Sequence, residues 1–179
     1  HSGERLGELL GVSRTAVWKH LQKLETFGVN VESVKGKGYR IAGGIELLEW
    51  SRIKPVVSPD VVGALHRVDV LNSVDSTNRY LMAMGETANR VVCLAEYQSQ
   101  GRGRRGRSWS SPFGKNLYLS LGWQFDGGAA SLEGLSLVVG IAVRRALSDS
   151  DQLRLKWPND LHYQGQKLAG ILLEMQGDP

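Results

Sequence analysis

The sequence has little cysteine and no long hydrophobic run. Cys93 is the single cysteine among 179 residues, so the chain cannot form an internal disulfide. Such a composition is typical of a reducing compartment and predicts a cytoplasmic protein. No apolar stretch approaches the roughly 20 residues of a membrane-spanning helix, so we expect no membrane partner. The four histidines are scattered, and with one cysteine they give no metal-ligand spacing.

Acidic residues are scarce at the N-terminus relative to basic ones. Residues 1–45 hold seven of the 22 Lys and Arg residues but four of the 18 Asp and Glu residues, so they carry most of the net charge of +4. A basic excess of this kind favours contact with nucleic acid. Alone it is weak evidence, because a few extra lysines usually form a solvated face.

Residues 1–45 have the pattern of two short helices followed by a β-hairpin. Ser2 and Ser13 precede two apolar-faced segments as N-caps, and Gly11 ends the first of these segments. The hairpin turns at residues 35–38, Lys-Gly-Lys-Gly, which suits a wing that grips phosphate. The pattern predicts a DNA-binding winged helix-turn-helix with its first helix missing, in preference to a small protein-binding helical subdomain. Its predicted DNA contacts are Arg14, Thr15, Trp18, Lys19, Gln22, Lys35 and Lys37.

The rest of the chain is predicted as a linker, residues 46–66, and a second domain, residues 67–179. The linker should contain one short helix near Leu47–Arg52. The second domain mixes strands and helices without regular βαβ alternation, which predicts an α+β fold with a mixed or antiparallel sheet. Its predicted strands are Val68–Leu71, Val91–Glu96, Leu117–Trp123, Leu153–Trp157 and a hairpin over Leu161–Glu174. Two helices are predicted: a short one that Ser76 or Thr77 caps, and a long one over Leu132–Leu147.

Four motifs of the second domain suit a charged small-molecule ligand. Gly101–Trp109 sets three glycines among four arginines, so backbone N–H groups and guanidinium groups can surround a phosphate. Alone, its composition fits an RNA-binding tract or a solvated loop better. Asp75–Asn78 is also an ordinary helix start, and Lys156–Asp160 is also an ordinary Pro-Asn-Asp turn. In Lys167–Ile171, a lysine on an apolar strand needs an anionic partner.

Together and in this order, the motifs resemble the biotin protein ligase family. With the winged helix ahead of them, they are similar to the class that also represses the biotin operon. The resemblance implies a mixed-sheet, class II synthetase-like catalytic domain that is incomplete at its C-terminus, with the family's C-terminal β-barrel domain absent. The motifs that carry it are Asp75–Asn78, Glu96–Gln98, Gly101–Trp109, Ser111–Gly114, Lys156–Asp160 and Lys167–Ile171.

The resemblance implies that biotin and MgATP form biotinyl-5′-AMP, which a lysine of the biotin carboxyl carrier protein then attacks. The adenylate would also be the corepressor, promoting a homodimer that binds operator DNA. Biotin contacts are implied at Ser76, Thr77, Asn78, Gln98, Arg102, Gly103, Arg104 and Lys167. Arg104 and Lys167 are implied as catalytic residues. Nucleotide contacts are implied at Arg104, Arg107, Trp109, Asn159 and Asp160, and Asp160 is also implied as a Mg²⁺ ligand. Trp109 fits a core tryptophan equally well.

Three other functions remain open from the sequence. The chain fits a ligand-sensing repressor without catalysis, a lipoate or octanoate ligase, or an RNA-binding protein built on the arginine loop. The polar set for the biotin head and the winged helix argue against the lipoate ligase. Because the family continues beyond Glu174 with further strands, we expect this chain to keep part of the biotin site and to adenylate poorly or not at all.

Overall fold

The computed structural model describes residues 1–126, 132–147 and 151–176. They form two compact units: residues 1–101 with 109–122, and residues 102–108 with the described part of 123–179. No helix in these ranges is long and apolar enough to cross a membrane. The helices are α1 Gly3–Leu10, α2 Arg14–Thr26, α3 Trp50–Ile53, α4 Pro59–Ala64, α5 Thr77–Met82 and α6 Leu135–Leu147. The strands are β1 Val31–Val34, β2 Gly38–Ile41, β3 Arg67–Leu71, β4 Val91–Ala95, β5 Tyr118–Gly122, β6 Leu153–Lys156, β7 Asp160–Tyr163 and β8 Gln166–Gly170.

The first unit begins with the predicted two helices and hairpin. The Ser2 hydroxyl accepts from the Arg5 N–H at 3.1 Å, and the Ser13 hydroxyl from the Ala16 N–H at 3.2 Å. Gly11 takes the left-handed conformation that ends α1. Strands β1 and β2 pair antiparallel. The predicted caps and the hairpin are therefore confirmed.

The connector between the hairpin and β3 holds more regular structure than predicted. The prediction of one short helix is wrong, because α3, a 3₁₀ turn at Lys54–Val56 and α4 follow one another. Pro55 and Pro59 occupy first-turn positions of the 3₁₀ turn and of α4. A proline there loses no helical hydrogen bond, so these prolines begin helical segments instead of breaking them.

The sheet of the first unit is mixed, as predicted. Its order is β3-β4-β5, with β3 parallel and β5 antiparallel to the central strand. On β5, Tyr118 and Ser120 are buried, whereas Leu119 and Leu121 are exposed. The inward face of this strand therefore carries polar atoms, and α5 packs across it.

The second unit contains a separate antiparallel sheet, β6-β7-β8, with α6 against it. The hairpin between β7 and β8 turns at Gln164 and Gly165, both with positive φ and both within the predicted hairpin. Strand β8 ends at Gly170, so the predicted hairpin is too long by four residues at Glu174. Helix α6 begins at Leu135, three residues later than predicted.

Cys93 provides a test of the core of the first unit. The side chain is fully buried on β4, and burial, together with a smaller contribution from the nearby Asp69 carboxylate, raises the pKa of its thiol to about 11. We expect a thiol reagent at neutral pH to label the native chain far more slowly than the denatured chain. Because the pKa of the thiol is higher in the folded chain than in the unfolded chain, its contribution to the free energy of unfolding is present in full below about pH 9. This contribution should be lost as the pH rises to about 11. Cys93→Ala should lack that alkaline loss; rapid labelling of the native chain would contradict the burial.

Candidate functional site

The start of α5 holds the first group of predicted site residues. Ser76 is the N-cap, and its hydroxyl accepts from the Arg79 N–H at 3.4 Å. Asp75 accepts from the Ser76 N–H at 2.6 Å and pairs with the Arg79 guanidinium at 3.0 Å. Partial burial acts to raise the pKa of Asp75, but these two donors hold it below its ordinary value. The Asp75 and Ser76 side chains thereby each accept a hydrogen bond from a backbone N–H group at the start of α5.

Thr77 and Gln98 are hydrogen-bonded to each other at one edge of the sheet. Thr77 donates to Gln98 Oε1 twice, from its backbone N–H at 2.9 Å and from its hydroxyl at 3.1 Å. Gln98 lies just beyond β4, where it forms a parallel bridge with Val74. The parallel strands β3 and β4 thus end at one edge, and the segments that follow them place both side chains together. Thr77 and Gln98, which the resemblance implies as biotin contacts, are therefore hydrogen-bonded to each other.

Two further serines, Ser111 and Ser120, belong to this group, although no role is predicted for either of them from the sequence. Gln98 Nε2 donates to Ser111 Oγ at 3.1 Å, and Ser111 in turn contacts the Trp109 carbonyl at 3.2 Å. Ser120 on β5 contacts Thr77 Oγ1 at 2.8 Å and also contacts Asn78 Oδ1. A polar residue at an inward position of β5 was the available signal for Ser120. Together with Ser76, these residues form what we call the polar cluster: Ser76, Thr77, Asn78, Gln98, Ser111 and Ser120.

Gly101 packs directly onto the polar cluster. A Cβ added at this position would lie 2.6 Å from Ser111 Oγ, 2.7 Å from the Trp109 carbonyl and 3.2 Å from Gln98 Nε2. The Trp109 N–H also donates to the Gly101 carbonyl at 2.8 Å. Only glycine fits here without displacing the backbone, so the two ends of the arginine loop close against the cluster.

The Ser111–Gly114 motif also contacts the end of α2. The Phe113 N–H donates to the Phe27 carbonyl at 2.8 Å, and the Phe27 and Tyr97 rings meet edge to face at 4.9 Å. Gly28, which has positive φ, lies against Pro112. The winged helix is therefore held to the segment that carries Ser111.

In the second unit, the arginine loop forms a small hairpin. Arg102 and Ser108 form an antiparallel bridge, and the Gly103 N–H donates to the Arg107 carbonyl at 2.7 Å. The Arg107 N–H donates to the Arg104 carbonyl at 3.4 Å. These two backbone donors are used within the hairpin, which corrects the expectation that they would face a phosphate. The exposed groups at the turn are the side chains of Arg104, Arg105 and Arg107.

Acidic partners accompany the predicted cationic residues of the second unit. Lys167 Nζ lies 2.8 Å from Asp160 Oδ1, and Arg102 lies 2.8 Å from Glu174. Lys167 thus has a carboxylate partner within the protein, but its side chain is 40% exposed and does not face an apolar interior. Asn159 donates its side-chain amide to the Ile171 carbonyl at 2.7 Å, which extends the pairing beyond β8. The Asn159 side-chain NH₂ group therefore donates a hydrogen bond within the second unit itself.

Asp160 is the one carboxylate among the described residues that the resemblance implies as a Mg²⁺ ligand. Within the described ranges, no three His, Cys, Asp or Glu side chains group as a metal site. Mg²⁺ in nucleotide sites is commonly held by one or two carboxylates together with substrate phosphates. Asp160 beside Lys167 fits that arrangement, with the nucleotide supplying the other ligands.

The predicted DNA contacts are all on the surface of the first unit. Arg14, Thr15, Trp18, Lys19 and Gln22 of α2 are exposed, as are Lys35 and Lys37 in the turn between β1 and β2. Arg14 lies 3.5 Å from Glu4, and both side chains are mostly exposed. Such a surface ion pair is weak and leaves the arginine available to phosphate.

Comparison with known proteins identifies the family. Residues 70–178 match the biotin/lipoate A/B protein ligase family, and residues 1–40 match a helix-turn-helix domain. The chain belongs to the biotin/lipoate A/B protein ligase family. It combines an N-terminal helix-turn-helix domain with the mixed α+β fold of the ligases, which confirms the predicted fold class.

The relatives include bifunctional proteins. The chain is 50% identical over 182 residues to the bifunctional ligase/repressor BirA of Escherichia coli, covering 99% of this chain and 54% of that protein. Its identity to BirA of Bacillus subtilis is 36%, with 99% and 55% covered. The chain thus spans about half the length of the curated relatives it matches. Among solved structures, the biotin protein ligase of Aquifex aeolicus in complex with biotin and ATP is similar at a TM-score of 0.54 and 34% identity, over 64% of this chain and 49% of that one.

Proposed function

We propose that the chain carries the DNA-binding and biotin-activating parts of a bifunctional biotin protein ligase and biotin operon repressor. The observation that carries this proposal is the polar cluster, whose buried hydroxyl groups and half-buried amide groups suit an uncharged polar head group such as the ureido ring of biotin. Its members Thr77 and Gln98 are held at the same edge of the sheet. A lipoyl group has no such polar head, so the cluster favours biotin.

The proposed reaction begins with attack of the biotin carboxylate on the α-phosphorus of ATP, which releases pyrophosphate. A lysine of the biotin carboxyl carrier protein then attacks the mixed anhydride, and AMP leaves as the amide forms. Arg104 and Lys167 would neutralise the charges that approach one another in the first step. Arg102 and Gly103 would contact the ligand tail, and Arg107, Trp109, Asn159 and Asp160 the nucleotide. Mg²⁺, where Asp160 helps to hold it, supplies further charge neutralisation.

Transfer of labelled biotin tests the ligase half. The assay uses ATP and an acceptor domain with this chain and with a longer chain that continues to the length of the relatives. We expect the longer chain to transfer biotin and not lipoate, and to catalyse biotin-dependent pyrophosphate exchange. Lipoate transfer, or no exchange by the longer chain, would overturn the proposal.

The repressor half requires the exposed basic groups of the winged helix. We propose that biotinyl-5′-AMP promotes homodimerisation and that the dimer binds an operator with two half-sites. The double variant Lys35→Ala, Lys37→Ala should bind DNA more weakly and reduce the salt dependence of log K by about 2 per winged helix, since each phosphate contact contributes about 1. Lys54→Ala, an exposed lysine outside the winged helix, is the matched control. An unchanged salt slope would show that the wing does not contact phosphate.

A further inference from the structure

Ser111 and Ser120 are buried serines whose hydroxyl groups contact predicted ligand-binding side chains. Their exposed fractions are 6% and 7%, against 4% for Thr77. An unsatisfied hydroxyl in such surroundings is costly, so each must be hydrogen-bonded. Neither serine caps a helix: Ser120 lies within β5, and Ser111 begins the Ser111–Gly114 motif.

The orientation of Gln98 follows from its partners. The Thr77 backbone N–H is solely a donor, so the atom that faces it must be the Gln98 oxygen. Gln98 Nε2 then faces Ser111, whose oxygen accepts and whose proton is directed to the Trp109 carbonyl. Ser111 thus supports one orientation of the Gln98 amide and connects it to the base of the arginine loop.

The orientation of the Thr77 hydroxyl follows in the same way. Gln98 Oε1 is solely an acceptor, so the Thr77 hydroxyl proton points towards it. The Thr77 oxygen is then an acceptor for Ser120, whose proton is shared between Thr77 and the Asn78 side chain. The contacts form one directional chain from Ser120 through Thr77, Gln98 and Ser111 to the Trp109 carbonyl.

We infer that Ser111 and Ser120 are positioning residues that hold Gln98 and Thr77 in the orientation in which they bind the polar head of the ligand. The inference rests on the proposed function, because that function supplies the ligand. Alanine at either serine fills nearly the same space but removes the hydroxyl group, and with it every hydrogen bond that this hydroxyl makes in the chain of contacts. Without that hydroxyl, the side chains of Gln98 and Thr77 can adopt other orientations. Ligand binding must then select one orientation, which lowers the affinity.

The test compares Ser111→Ala and Ser120→Ala with Ser110→Ala, whose exposed serine is the neighbour of Ser111 in the chain. Calorimetry with the whole chain at neutral pH measures the Kd for biotin and for 2-iminobiotin, in which a protonated guanidinium C=NH₂⁺ donor replaces the ureido C=O acceptor. We expect both buried-serine variants to bind biotin roughly tenfold more weakly, which corresponds to about one lost neutral hydrogen bond. The loss for 2-iminobiotin should be smaller, and Ser110→Ala should stay within twofold of the parent for both ligands.

Three measurements separate positioning from general loosening. Ser111→Thr and Ser120→Thr keep the hydroxyl and should recover most of the affinity, and thermal unfolding should show each variant folded. In a longer, active chain, the KM for biotin should rise, whereas kcat and the KM for ATP should stay unchanged. Equal losses for both ligands, or binding like that of Ser110→Ala, overturn the inference while the proposed function stands. A parent chain that binds no biotin overturns both, and if Ser120→Ala does not fold, Ser111→Ala decides.

Discussion

Gly101→Ala is expected to weaken biotin binding by at least tenfold and to destabilise the first unit by about 1–3 kcal/mol, the usual cost of overpacking. The added methyl group would meet Ser111 Oγ at 2.6 Å and the Trp109 carbonyl at 2.7 Å. Rotation of Ser111 relieves the first contact but breaks its link to Gln98. The second contact is with backbone, so relief requires the two ends of the arginine loop to move apart.

Gly63→Ala is the matched control for this substitution. A Cβ at Gly63, within α4, meets no atom within 4 Å, and alanine is favoured over glycine in a helix by about 0.5–1 kcal/mol. The control should therefore keep biotin affinity and be equally or more stable in chemical denaturation. A Gly101→Ala chain as stable and as tight in binding as Gly63→Ala would show that the loop base does not press on the polar cluster.

Local rules predicted the winged helix well. Ser2, Ser13 and Gly11 each act through residues within one helical turn, and all three end or begin helices where the sequence places them. The prediction for the connector missed two segments that begin with a proline in their first turn, the 3₁₀ turn at Pro55 and α4 at Pro59. A proline breaks the interior of a helix but suits its first turn, and the sequence pattern does not distinguish the two cases without a cap.

The polar cluster shows where local rules stop. Alternation in Leu117–Trp123 predicts a strand, but hydrophobicity alone would place Leu119 and Leu121 inside. The structure buries Tyr118 and Ser120 instead. Ser120 meets Thr77 across 43 residues of chain, and this contact depends on the pairing of β4 with β5 and the packing of α5. A role for Ser120 could therefore not be assigned before the tertiary contacts were known.

Lys167→Ala is expected to weaken binding of biotinyl-5′-AMP by about 10–10²-fold, because a hydrogen bond between charged groups contributes about 1.5–3 kcal/mol. Biotin itself should lose less affinity, because the proposed role of Lys167 includes the α-phosphate. The 2.8 Å contact with Asp160 fixes the ammonium group on β8 in a defined position. Calorimetry with both ligands measures the difference between the two losses.

Stability distinguishes this role from a structural one. The Lys167 and Asp160 side chains are 40% and 21% exposed, and ion pairs of that kind contribute at most about 1 kcal/mol. Lys167→Ala should therefore unfold within about 1 kcal/mol of the parent, while Lys115→Ala, at an exposed lysine of the first unit, should alter neither binding nor stability. Asp160→Asn keeps the ammonium group but removes its anionic partner, so its loss of adenylate affinity should be smaller than that of Lys167→Ala. Equal losses for biotin and its adenylate would place Lys167 at the carboxylate alone and remove it from the proposed phosphoryl chemistry.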